Sequence, residues 1–181
     1  MNLASRFLLS ERTTQRTNQH TLQPYSSWFS HQRTTDTLFR SVSFPDVVPR
    51  LSDRFVLAEQ DFLTIQRPEG SDGFDFVVTL FFIDTSLNVI ETLEHIHSLL
   101  RPGGQWINLG PLLWTGGGQA AVELSLEEVL KLAAMVGFDV ADDEAPQYIR
   151  PRTVECEYTA DKAAMMKWLY QAEFWVATKR L

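Results

Sequence analysis

Residues 74–113, FDFVVTLFFIDTSLNVIETLEHIHSLLRPGGQWINLGPLL, decide the fold. Phe76, Val77, Val78, Leu80, Phe81, Phe82 and Ile83 form an almost unbroken apolar run. Such a run suits a central parallel strand covered by helices on both faces. Asp84 ends it. Val89, Ile90, Leu93, Ile96, Leu99 and Leu100 then recur at helical spacing and predict a helix with one apolar stripe. Pro102-Gly103-Gly104 predicts a turn. Trp106, Ile107 and Leu109 mark a second strand. Strand, helix and strand in this order make a βαβ unit, whose crossover is right-handed. Ligands of open α/β sheets sit at the carboxyl ends of the strands. Asp84 and residues 110–115 both fall at such ends.

Working outward, residues 54–62 alternate weakly and predict a strand ending in Asp61-Phe62. Ser125 with Glu128 predicts a capped helix, which Gly137 ends. Strands are expected near 138–142 and 172–179, and a short helix around Met165 and Met166. Alternating strands and helices imply an α/β fold with a mostly parallel sheet. Toward the N-terminus, Leu3, Phe7, Leu8 and Leu9 predict a short helix. Residues 10–50 are polar and irregular, with Tyr25, Trp28 and Phe29 as expected anchors. The organisation read here is one domain over 1–181, with an irregular N-terminal segment to residue 50 and an α/β core from 54.

The composition narrows the function classes. The 181 residues carry a net charge of −7, and 44% are hydrophobic, a globular balance. Residues 1–54 hold seven Lys/Arg against four Asp/Glu, and the remainder nine against nineteen. The acidic body argues against a nucleic-acid surface. One cysteine, Cys156, excludes an internal disulfide, and no Cys/His spacing suits a metal. No apolar run has the length of a membrane span. The cytoplasm, and after it the nucleus, is the expected compartment. The Arg- and Ser-rich first 24 residues superficially resemble a transit peptide and are read as a surface segment of the domain.

Individual residues carry two readings each. The glycines at 116–118 match no phosphate-loop spacing. His95 and His97 are two apart on a helix, point to different sides, and are expected at the surface. Asp61-Phe62 either grips a purine or is a helix cap beside a core ring. Asp84 either caps the next helix or faces a substrate pocket, and Thr85 and Ser86 can do the capping. Tyr158 and Tyr170 read as ordinary core or rim tyrosines.

The strings FFIDT, NVI, LRPGG, WINLGPLLW, the LS-EE helix, EYT and MMKWLYQ, with ASRFLL and FPDVVP upstream, together resemble the carnosine N-methyltransferase family. The resemblance spans the chain. It implies a class I methyltransferase, Rossmann-like sheet, S-adenosylmethionine as cofactor, and methyl transfer to an imidazole nitrogen of a carnosine-like dipeptide. By position it implies Asp84 as catalytic and substrate-binding, Tyr158 and Tyr170 in the substrate site, and Asp61, Phe62 and Leu80 against the cofactor. Thr115 stands where the family has a substrate-contacting His. The glycine-rich turn and ribose-binding acid of the family's first two strands have no counterpart before Leu3. An incomplete sheet is therefore expected, with a bare edge on the 74–84 strand, and weak or no activity of the chain alone. The alternative is a catalytically degenerate methyltransferase-like module that binds a protein partner. A small-molecule dipeptide is the expected partner, neither nucleic acid nor membrane is, and homodimerisation is left open.

Overall fold

A computed structural model describes residues 2–114, 119–158 and 161–181. The chain divides into two compact units: residues 1–60 with 159–168, and residues 61–158 with 169–181.

The first unit is held by short elements. Helix α1 (Asn2–Leu9) confirms the N-terminal apolar pattern. Strands β1 (His20–Leu22) and β2 (Val42–Phe44) pair antiparallel and escape sequence reading because three residues carry no period. Helix α2 (Thr35–Leu38) is capped by Thr34. Buried Asp161 draws this unit together: it pairs with Arg40 and accepts from Gln32 Nε2 at 2.8 Å and the Ala163 N–H at 3.0 Å. Of the expected anchors, Tyr25 lies beneath the Arg40 guanidinium at 3.7 Å. Trp28 and Phe29 are exposed instead.

The second unit carries the sheet. Strand β3 (Phe74–Leu80) leads through helix α3 (Val89–Leu99) into β4 (Leu100–Gly110), parallel to β3. Helix α4 (Leu126–Val136) has the expected Ser125–Glu128 capping box. Strands β5 (Phe138–Val140), β6 (Arg152–Glu157) and β7 (Leu169–Lys179) follow. The order is β3-β4-β7-β5, and β6 also pairs with β7. Gly137 ends α4 in the left-handed region at φ 118°. A β-carbon there would stand 2.8 Å from His97 Nε2, so both conformation and space call for glycine.

Four expectations are corrected. The sheet is mixed, because β7 runs antiparallel to β4, β5 and β6. Residues 54–62 form no strand; only an isolated Ser52–Phe55 bridge and a single helical turn at Phe62–Thr64 occur there. Pro102-Gly103-Gly104 is not a separate turn but an irregularity inside β4, where Phe74 pairs with Leu100 and Phe76 already pairs with Gln105. No helix forms around Met165; turns and bends do.

The 74–80 run is also wetter than its composition suggests. Phe76, Val78 and Leu80 are 58, 65 and 63% exposed, and β3 pairs, among the described residues, with β4 alone. The expected bare edge is therefore present, while the expected cover on both faces is not. The core lies on the other face. Val89, Leu93 and Ile96 of α3 and Val129 and Ala133 of α4 pack on Trp106, Phe138 and Trp175.

One buried polar network ties three strands. Trp106 Nε1 donates to Thr79 Oγ1 at 2.8 Å, and Thr79 Oγ1 donates to Asn108 Oδ1 at 2.8 Å. Asn108 Nδ2 donates to the Glu173 carbonyl at 3.3 Å. Thr79→Val keeps the shape and strands both Thr79 partners in the core. An unpaired buried polar group costs about 1–3 kcal/mol, so urea unfolding should show a loss of about 2–4 kcal/mol. A loss under about 0.5 kcal/mol would remove the network from the fold's support.

Candidate functional site

The site is built where β3 and β4 end. Phe81 continues the ladder, its N–H donating to the Leu109 carbonyl at 2.8 Å. The chain then bends sharply into a helical turn, Ile83–Thr85. Asp84 sits on that turn and is only 6% exposed. Its Oδ2 accepts from the Leu113 N–H at 3.0 Å, across the tips of the two parallel strands. The reading of Asp84 as a cap for the next helix is excluded. Asn88 caps α3, accepting from the Ile90 and Glu91 N–H groups, so Thr85 and Ser86 do not cap it either. The carboxylate faces the end of β4 and is buried there. That burial pushes its pKa above the ordinary carboxylate value, against the pull of the Leu113 N–H and its own backbone N–H.

An aromatic row stands beside this turn. The Phe81 ring meets Tyr170 edge-on, with centroids 5.7 Å apart, and Tyr170 meets Tyr158 edge-on at 5.3 Å. Tyr170 is the second residue of β7 and lies opposite Cys156 of β6, so register brings Tyr170 and Tyr158 to one end of that strand pair. Tyr158 is 62% exposed and offers its ring to solvent. Trp114, next to Leu113, is fixed by its indole N–H on the Leu124 carbonyl at 3.0 Å.

The residues read as cofactor-binding lie at the Phe62–Thr64 turn and at the end of β3. Asp61 Oδ1 accepts from the Leu63 N–H at 3.0 Å and caps the Phe62–Thr64 turn. Phe62 packs edge-on against Phe82 and against His95, both at 5.0 Å. Leu80, two residues before Phe82, presents an exposed apolar side chain. Both histidines of α3 are half-buried rather than on the surface. His95 has its Nε2 buried without a hydrogen-bond partner, and His97 packs edge-on to Phe138 at 5.1 Å. Burial first, then the charges of Lys179, Arg180 and Arg67, lower the pKa of His97. Thr115 and the glycines at 116–118 lie outside the described residues. Among the described residues no group of three His, Cys, Asp or Glu could hold a metal, and no helix is long and apolar enough to cross a membrane.

Two parts of the site are absent from any reading of side-chain types. One is the Leu113 backbone N–H that holds Asp84. The other is Phe81, whose left-handed backbone has no sequence signal beyond the neighbouring Gly110.

A parallel β3-α3-β4 crossover, followed by a reversed β7 lying between β4 and β5, defines a Rossmann-like sheet of the class I methyltransferase kind, incomplete beyond β3. The chain belongs to the carnosine N-methyltransferase family, whose model matches residues 1–181. It is 35% identical to the carnosine N-methyltransferase of Schizosaccharomyces pombe over 97% of this chain and 49% of that protein. With the mouse carnosine N-methyltransferase it shares 32% identity over 90% of this chain and 40% of that one. The chain thus spans about half or less of the length of these relatives. Among solved structures, a SAM-dependent methyltransferase from Methanosarcina mazei aligns at 14% identity and a TM-score of 0.45, covering 67% of this chain and 66% of that one. The N-methyltransferase NodS of Bradyrhizobium japonicum aligns at 15% identity and a TM-score of 0.42, over 68% and 59%.

The raised pKa of Asp84 fixes a pH dependence. The native state holds the Asp84 proton more tightly than the unfolded chain, so this group's contribution to stability is full in acid. It is lost as pH rises through the native pKa. Asp84→Asn keeps an oxygen for the Leu113 N–H and carries no charge. Urea midpoints should show the variant at least as stable as the wild type at neutral pH, with the difference shrinking on acidification. A variant weaker at neutral pH and equal in acid would reverse the sign.

Proposed function

We propose that the chain supplies the substrate side of an S-adenosylmethionine-dependent N-methyltransferase acting on an imidazole nitrogen of histidine-containing dipeptides such as carnosine. The observation that carries it is Asp84, a buried carboxylate at the tip of β3 that takes no part in capping α3. Family membership supports the methyl-transfer reading.

The chemistry asks little covalent work of the protein. The cofactor, when bound, would supply an electrophilic sulfonium methyl. A neutral imidazole would offer one nitrogen lone pair to it. Holding the nitrogen in line supplies much of the rate, because proximity and orientation are paid for on binding. Asp84 would accept the N–H of the other imidazole nitrogen, fix the tautomer and raise the basicity of the attacking one. Its position, already committed to the Leu113 N–H, keeps that carboxylate oriented before substrate arrives. As methyl transfer proceeds the ring becomes cationic, and the same carboxylate receives the proton or stabilises the charge. Tyr170 and Tyr158 would line the ring's other side, and Thr115 would take the place of the family's histidine.

The cofactor side fits in the same terms. Asp61 is exposed, and its second carboxylate oxygen can accept from an exocyclic amine. Phe62 is held edge-on to Phe82, with the planes at 71°, and Leu80 offers an apolar surface two residues before Phe82. These residues would hold the adenine end.

The test is a methyl-transfer assay with carnosine, using β-alanyl-alanine as the control without an imidazole. Transfer, weak in this chain alone, is expected with carnosine and not with β-alanyl-alanine, and Asp84→Asn should lower kcat/KM by about 10²–10⁴-fold. Transfer to both dipeptides, or Asp84→Asn activity within about twofold of wild type, would overturn the proposal.

A further inference from the structure

We infer that Phe81 is a positioning residue that joins the Asp84 turn to the tyrosine side of the site; its catalytic consequence rests on the imidazole reading above. Phe81 has φ 48°, in the left-handed region. A bulky aromatic residue there is an outlier, and such conformations persist only where their surroundings over-determine them.

Three contacts do so. The Phe81 N–H stays in the ladder on the Leu109 carbonyl, at 2.8 Å. Gly110 leaves room for the bend: a β-carbon there would stand 3.1 Å from both Cα and N of Phe81. The Phe81 ring then closes on Tyr170 at 5.7 Å with the planes at 78°.

The bend sends the chain from β3 into the Ile83–Thr85 turn, where Asp84 meets the Leu113 N–H. Glycine would serve the backbone alone with less strain. What glycine cannot supply is the ring. The ring edge fixes the orientation of Tyr170, which in turn stands perpendicular to Tyr158. One strained residue therefore sets the carboxylate on one side and the tyrosine pair on the other. Its neighbour Phe82 faces away to Phe62, so the two consecutive phenylalanines serve different ends of the site.

The experiment uses the full chain labelled with 3-fluorotyrosine. Its four tyrosines give four 19F resonances, and Tyr170→Phe assigns the one in question. Phe81→Leu, which removes the ring, should shift the Tyr170 resonance and leave Tyr25 and Tyr148 in place. Phe81→Gly should do the same on a backbone that suits the bend, which guards against a leucine variant that fails to fold. Phe81→Tyr, which adds a fifth resonance of its own, should return the Tyr170 resonance toward its wild-type position. With carnosine, both ring-less variants should raise KM about threefold to tenfold, the value of one aromatic pair, and change kcat little. An unmoved Tyr170 resonance in both ring-less variants overturns the inference, as does an unchanged KM alongside a lowered melting temperature. Wild-type protein that binds no carnosine by calorimetry refutes the imidazole reading, while the fluorine spectra still decide the Phe81–Tyr170 contact.

Discussion

The bond between the Asp84 carboxylate and the Leu113 N–H is the constraint on which the site depends. It links the tips of two parallel strands that otherwise diverge into separate loops. Strand β3 must turn back on itself to make it, and the left-handed backbone of Phe81 is how the chain turns. Gly110, one residue beyond the last ladder bond, gives that turn its room. The cost of burying a carboxylate is met in part by two backbone N–H groups, and the rest appears as a pKa above the usual range. A group held this way is oriented before any ligand arrives.

That clamp needs β3 and β4 in fixed register. The register is set one turn deeper in the sheet by a threonine inside an otherwise apolar strand. Thr79 lies directly opposite Asn108 and accepts from the Trp106 indole, so a slip of one residue would break two buried hydrogen bonds. Asn108 carries the constraint on to β7 through the Glu173 carbonyl, and β7 in turn delivers Tyr170. The polar network of the core and the aromatic row of the site are therefore parts of one linked arrangement. Lys179 does similar work at the far end of β7, donating to the His97 and Leu100 carbonyls at 2.8 Å where α3 gives way to β4.

Much of this was legible in the residues. The β3-α3-β4 unit, the Ser125 capping box, the Gly137 stop and the final strand all follow from period and capping chemistry. Asp84 was legible as a strand-end carboxylate, because a charge that closes an apolar run has few structural duties. The strand direction of β7 was not legible, since antiparallel and parallel partners bury the same side chains. Residues 54–62 misled because weak alternation also fits an extended segment that pairs with nothing. The wet face of β3 was hidden by its composition: Phe76, Val78 and Leu80 read as core and lie on the exposed face of an edge strand. Phe81 and the Leu113 N–H escaped because a left-handed φ and a backbone donor leave no residue-type signature.

Amide hydrogen exchange at Leu113 tests the clamp most directly. Leu113 lies beyond the end of β4 with an exposed side chain, so nothing but Asp84 shields its N–H by hydrogen bonding among the described residues. A bond to a charged acceptor should slow exchange at this amide about tenfold to hundredfold relative to an unstructured chain, and Asp84→Ala should abolish that protection while leaving the Val77–Leu80 amides protected. Exchange at the unstructured rate in the wild type, or protection that survives Asp84→Ala, would show that the two strand tips are not held together by this carboxylate.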